Sequence, residues 1–241
     1  MQTDRQSKWL SEELAKLFSD GVRGLIPTAS LQLQVINELL SAWDLNPQRV
    51  LDLGCGDGIL GRMLLDRFPH ARVTFLDFSE PMLAKVLEKA GENKNIQIIQ
   101  ADFTTPSWGQ NLEKNISFDL IVSGFAIHHQ VDERKKELYT EIFNLLGTHG
   151  VFLNLDQVRS RTDAISKIFD GYFLGHLNKS FSKPEQQDVM KQIEKSYYED
   201  KQENKPALVE DQCQWLRETG FQEVDCFFKT FEMALFGGIK L

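Results

Sequence analysis

The stretch VLDLGCGDGILG, Val50 to Gly61, constrains the chain more than any other. A short apolar run stops at a glycine-rich turn, and helix-compatible residues follow. A turn of this kind lets backbone N–H groups approach a ligand and presents a helix N-terminus to it. The stretch supports two readings. From Gly56 it is G-x-G-x-x-G, Gly56 to Gly61, the fingerprint of dinucleotide-binding folds. From Asp52 it is D-x-G-x-G-x-G, with an acid ahead of glycines 54, 56 and 58. The glycines alone serve a pyrophosphate or a neutral adenosine ligand equally well.

The surrounding pattern fixes the fold class. VLDLG (50–54), VTFLD (73–77), IQIIQ (96–100), DLIVSG (119–124) and VFLNLD (151–156) have the length and composition of buried strands. Between them GRMLLDRF, PMLAKVLEK and ERKKELYTEIFNLL place apolar residues three and four apart, as helices do. Such alternation predicts an α/β fold, a Rossmann-like doubly wound sheet with helices on both faces and ligands beyond the carboxyl ends of its strands. Two further strands, QEVDCFFK and FEMALFGGIK, are joined by almost nothing and so must pair antiparallel, giving seven strands in all. Four regions are expected: an N-terminal helical cap over 1–47, with helices near 7–19 and 29–43, and an α/β core over 48–156. A polar helical insertion over 157–203 forms a lid, and a helix at 207–219 with the antiparallel pair completes the sheet within 204–241.

Composition narrows the partners. A formal net charge of -8 argues against broad contact with a nucleic-acid backbone, which is held by Lys and Arg. Cys55, Cys213 and Cys226 are odd in number and far apart, which suggests neither a disulfide framework nor a metal site and points to a reducing cytoplasm. No apolar run reaches the roughly 20 residues of a membrane span, and MQTDRQSKWLSEEL carries charges where a signal peptide needs an apolar run. The expected partner is a small molecule; the oligomeric state stays open.

Three features separate the two readings of the glycine turn. Asp52 precedes the turn, where it repels a pyrophosphate but attracts the ammonium of an amino acid. Asp102 and Phe103 end the third strand and offer an acceptor and an aromatic wall to an adenine. The antiparallel closing pair is foreign to a plain dinucleotide fold. Together they favour S-adenosylmethionine over a nicotinamide cofactor.

In order and spacing, VLDLGCGDG, FLDFSEPML, QADF, FDLIVSGFAIHH and LGTHGVFLNLD resemble the class I S-adenosylmethionine-dependent methyltransferases over roughly residues 48–156. The tail WLRETGFQEVDCFFKTFEMALFGGIK is similar to the closing segment of their small-molecule branch, and also to enzymes that make carboxy-S-adenosylmethionine for wobble-uridine modification. The resemblance implies that Gly54, Gly56 and Gly58 turn under the methionine moiety and that Asp52 contacts it, directly or through water. It assigns ribose to Asp77 with Phe78 following, the neighbourhood of adenine to Met82, adenine itself to Asp102 and Phe103, and the methionine end to Ser123 and Gly124. It thereby implies a methyltransferase with a small-molecule acceptor.

His128 and His129 lie just past the fourth strand, where substrate should enter, and an imidazole can take a proton near neutral pH. They are the candidate catalytic base, although paired histidines also serve as structural hydrogen-bonders. Three rival functions remain open. A carboxy-S-adenosylmethionine synthase needs a cation for the added carboxylate, and the stretch before the penultimate helix has no arginine between Arg161 and Arg217, only Lys201 and Lys205. The others are a nicotinamide oxidoreductase and a non-catalytic S-adenosylmethionine-binding protein.

Overall fold

The computed structural model describes residues 26–91, 93–113, 116–180 and 187–241. Its centre is a seven-stranded sheet of β1 (Arg49–Leu53), β2 (Arg72–Asp77), β3 (Ile96–Gln100), β4 (Phe118–Gly124), β5 (Leu146–Gln157), β6 (Gln222–Thr230) and β7 (Met233–Ile239). The spatial order is β3-β2-β1-β4-β5-β7-β6. The first five strands run parallel, and β7 lies antiparallel between β5 and β6. This order decides against a plain dinucleotide fold, whose sixth strand stays parallel.

The central strands are apolar on both faces because helices cover both. On one face α1 (Ala29–Ala42), α2 (Ile59–Arg67) and α3 (Glu80–Ala90) pack over Val50, Val73, Phe75 and Leu153. On the other, α4 (Asp132–Leu145) and a later helix, Val209–Thr219, pack over Leu51, Leu53, Ile121 and Phe152. After β5, α5 (Asp163–Ser180) and α6 (Gln187–Glu203) form a small cluster of their own from Leu174, Leu177 and Met190, and the helix Val209–Thr219 is α7. Phe173 and Tyr197 stack within that cluster with ring centroids 5.0 Å apart.

Two expectations shift. The helix expected near 7–19 lies outside the described residues. β5 begins at Leu146, not Val151, because the turn LGTHG is drawn into the sheet: His149 N–H donates to Lys240 C=O, and Lys240 N–H donates to Gly150 C=O at 2.9 Å.

The glycine turn is packed as tightly as its sequence demands. A Cβ on Gly61 would come within 2.3 Å of the Phe75 ring, so α2 rests directly on β2. Alanine here gains helix propensity of about 1 kcal/mol but overpacks the interface by about 1–3 kcal/mol. Gly61→Ala should therefore lose up to about 2 kcal/mol of stability in urea titration, and a stabilised variant would show that the interface is looser than this.

Candidate functional site

The sheet reverses its winding between β1 and β4, and ligands of open α/β sheets sit at such a point. Here the turns after the two strands touch. A Cβ added to Gly54 would lie 2.5 Å from Cβ of Ala126 and 3.0 Å from the Phe103 ring, so the ends of β1, β3 and β4 meet at one glycine. Gly54, Gly56 and Gly58 all have positive φ, at 66°, 54° and 79°. The three differ in surroundings: Gly58 is pressed against Phe75 and Val86, whereas a Cβ on Gly56 would meet nothing within 4 Å. Gly56 thus faces an open cradle at the head of the sheet.

Asp77 closes this cradle from β2. Its Oδ2 accepts from Gly56 N–H at 2.8 Å and its Oδ1 from Ser79 N–H at 2.9 Å, so one carboxylate ties the glycine turn to the start of α3. An ionised carboxylate has about four acceptor sites, so two bonds leave capacity for donors from a ligand. Burial raises the Asp77 pKa above the ordinary carboxylate value, its N–H partners pull the other way, and the charge of nearby Asp102 raises it further. Asp102 is half-buried, with Oδ1 accepting from Thr104 N–H at 2.9 Å. Phe103 is buried, and its carbonyl accepts from Arg134 Nε at 3.0 Å. Arg134 is in turn forked onto Glu141 at 2.9 and 2.7 Å, which fixes the β3 turn from α4.

The remaining sequence candidates fall into two groups. Phe78 and Gly124 are half-buried at the ends of β2 and β4, beside the cradle. Met82 is 5% exposed on the inward face of α3, next to Leu83 and Val86. Ser123 Oγ donates to Leu53 C=O at 2.8 Å, bracing β4 on β1. The Asp52 carboxylate is 1% exposed and accepts from Gly61 N–H at 2.8 Å, so it anchors the first turn of α2.

His128 and His129 are brought together with ring centroids 4.0 Å apart, but they are not equivalent. His128 is 5% exposed, and its Nδ1 lies 2.5 Å from Oδ1 of Asp156. The second oxygen of Asp156 accepts from the backbone N–H of His128 at 2.8 Å. A carboxylate can only accept, so the proton sits on Nδ1 and Nε2 is left as the basic nitrogen. Sequence reasoning missed Asp156 as a site residue. The signal was available, since Asp156 nears the end of β5 as Asp52 and Asp77 do on β1 and β2.

Lys135 and Lys205 were also not read in these roles. Lys135 is fully buried, with Nζ donating to Asp132 Oδ1 at 2.8 Å and to the carbonyl of Lys205. Lys205 N–H then donates to His128 C=O at 3.0 Å, so the chain leaving α6 is stitched to the histidine turn. Two bonds further along, Arg159 N–H donates to Ala207 C=O at 2.9 Å.

Comparison with known proteins agrees with this geometry. A family model described as a methyltransferase domain matches residues 50–150. A malonyl-[acyl-carrier protein] O-methyltransferase from Ilyobacter polytropus is 30% identical over 104 residues, 43% of this chain and 37% of that protein. A carboxy-S-adenosyl-L-methionine synthase from Nautilia profundicola is 23% identical over 243 residues, 95% of this chain and 93% of that protein. Among solved structures, an O-methyltransferase family protein from Burkholderia thailandensis superposes with a TM-score of 0.68 at 14% identity, covering 100% of this chain and 63% of the other. The match to the Ilyobacter protein thus spans little more than a third of its length. The motif order, the reversed seventh strand and the open cradle at Gly56 agree with these matches, and over residues 50–150 the chain is similar to methyltransferase domains.

Proposed function

We propose that the protein transfers a methyl group from S-adenosylmethionine to an oxygen of a small-molecule acceptor, with His128 as general base and Asp156 holding it. The observation that carries this reading is the His128–Asp156 pair, with His128 two residues past Ala126, whose side chain packs against Gly54 of the glycine turn. A buried carboxylate on one ring nitrogen fixes the tautomer and stabilises the imidazolium that forms when the other nitrogen takes a proton. Asp77 is placed to hold the ribose hydroxyls, and Asp102 with Phe103 the adenine. Gly56 leaves room for the methionine moiety and Gly54 and Gly58 shape the turn around it, with Ser123 and Gly124 at its far end and Met82 packed behind. When bound, the cofactor supplies an electrophilic methyl group, and the protein aligns the acceptor with it and excludes water.

Asp52 enters this reading indirectly: its bond to Gly61 N–H sets where the turn ends and α2 begins. In this reading α5 and α6 act as the lid over the acceptor. The Ilyobacter relative, named as an O-methyltransferase, supports oxygen as the acceptor atom. Cys55, Cys213 and Cys226 are free thiols, which suits a reducing cytoplasm, and no described helix is long and apolar enough to cross a membrane.

S-adenosylhomocysteine should bind the purified protein and raise its thermal midpoint. At a hundredfold excess over Kd a native-state ligand adds about 2.7 kcal/mol. No thermal shift with millimolar ligand would defeat the reading.

The similarity to the Nautilia synthase runs almost the whole chain and supports a second reading, synthesis of carboxy-S-adenosylmethionine. Of the two candidate cations for the added carboxylate, Lys205 is exposed and Lys201 is already enclosed by Asp170, Ser166 and Glu232, which favours methyl transfer. Mass spectrometry of the cofactor after turnover separates the two: demethylated cofactor supports methyl transfer, and cofactor heavier by one carboxyl group supports the synthase.

A further inference from the structure

Directly beyond Asp156 the carboxyl end of β5 opens into a cavity of about 380 Å³, lined from Gln157 to Ser166 on one side and by the end of α6 and the β6–β7 turn on the other. Small-molecule sites begin at about 300 Å³. The cavity adjoins the histidine pair through two links. Gln157 follows the aspartate that holds His128, and Lys205, whose N–H donates to His128 C=O, lies between the lining residues Asn204 and Pro206.

The charges around this cavity are mostly spent. Lys201 is paired with Asp170 and lies 3.8 Å from Glu232. Arg161, at the rim, is paired with Glu210 at 3.1 Å. Asp163 sits in the first turn of α5, where the helix dipole favours an acid. Arg159 is different: its backbone is fixed by the N–H bond to Ala207, it lines the cavity, and its guanidinium forms no ion pair among the described residues.

Two polar atoms of the same lining lack partners. Asn204 donates through Nδ2 to Gln157 Oε1 and Asp200 Oδ2, both at 3.1 Å, which orients the amide and leaves its buried Oδ1 without a hydrogen bond. The hydroxyl of Ser160 is likewise buried and unbonded. A buried acceptor left unmade is costly, and a ligand that supplies the missing donor recovers that cost.

We propose that this cavity is the anchoring subsite of the methyl acceptor, and that the acceptor is a small carboxylic acid bearing a hydrogen-bond-donating group such as a hydroxyl, apart from the oxygen that takes the methyl. Arg159 takes the carboxylate through its planar fork, and Asn204 Oδ1 and Ser160 Oγ take the donor. The proposal rests on the methyltransferase reading for its purpose, but binding can be tested apart from turnover.

Calorimetry with 3-hydroxybenzoate, 4-hydroxybenzoate and 3-hydroxybutyrate, each against its carboxamide, tests it on protein with and without saturating S-adenosylhomocysteine. At least one acid should bind roughly tenfold or more tighter than its amide, and Arg159→Ala should erase that preference. The Arg159 side chain is exposed, so this variant should fold; Asn204→Asp, which replaces the amide by a repelling carboxylate, should weaken acid binding as well. Equal affinity for acids and amides, no binding of any acid, or an unchanged preference in Arg159→Ala would overturn the subsite. Failure of S-adenosylhomocysteine to bind would instead defeat the methyltransferase reading, and the comparison without it would still decide the subsite.

Discussion

His128→Ala should lower turnover by about 100- to 10,000-fold, the range that a positioned acid–base group contributes, while S-adenosylhomocysteine affinity stays within about threefold of the parent. The fold should survive the change. Asp156 keeps the backbone N–H of residue 128 on one oxygen and that of Gln157, at 3.0 Å, on the other, so the carboxylate is not stranded when the ring is removed. His129, whose ring stacks on that of His128, should matter less, with a loss below about tenfold in His129→Ala. Steady-state kinetics with a turned-over acceptor provides the measurement. An unchanged kcat in both variants would mean that the acceptor arrives ionised and that the protein contributes alignment alone.

The second large effect concerns Asp77. Replacing it by alanine removes the acceptor for the N–H groups of Gly56 and Ser79 as well as the proposed ribose contact. Two buried donors left unpaired cost about 1–3 kcal/mol each, so Asp77→Ala should be destabilised by about 2–6 kcal/mol. Cofactor affinity should fall by about 1.5–3 kcal/mol, some 10- to 150-fold. Asp77→Asn keeps one acceptor oxygen and should recover part of the stability with little of the affinity.

The raised pKa of Asp77, which follows chiefly from burial, adds a pH signature. A carboxyl whose folded pKa lies above its unfolded value disfavours folding once ionised. That cost is absent below the unfolded pKa and complete above the folded one. Ribose binding has the opposite requirement, because the hydroxyls need the carboxylate. Affinity should therefore weaken as pH falls through the raised pKa, earlier than for an exposed acid. Calorimetry across that window should show the drop in the parent and not in Asp77→Asn; parallel curves would place the titrating group elsewhere.

Most of the sheet was legible because its parallel strands are covered on both faces and read as continuous apolar runs. IQIIQ is β3 residue for residue. The antiparallel closure followed from the shortness of one connection. What could not be read were bonds that depend on strand order. His128 and Asp156 are 28 residues apart and meet because β4 and β5 are neighbours. Lys135 and Lys205 are 70 apart, on opposite sides of the insertion, and a buried lysine in an otherwise polar helix gives no sign in the sequence. Asp52 was read as contacting the methionine moiety directly or through water; its bond to Gly61 N–H, on the face of β1 that it shares with Val50, could not be read.

The bond from Arg159 N–H to Ala207 C=O gives the protein a modular seam. The chain departs from the core and comes back to it at two points one hydrogen bond apart. The loop-closure entropy of whatever lies between them is thus settled locally and grows only slowly with its length. Apart from Lys205, which is bonded to the His128 turn and to the buried Lys135, the chain between these points can lengthen, shorten or change sequence with little effect on the strands that form the cofactor cradle. Cofactor chemistry and acceptor choice are in this sense separately heritable, one written in the sheet and the other in a cassette whose two ends are already joined.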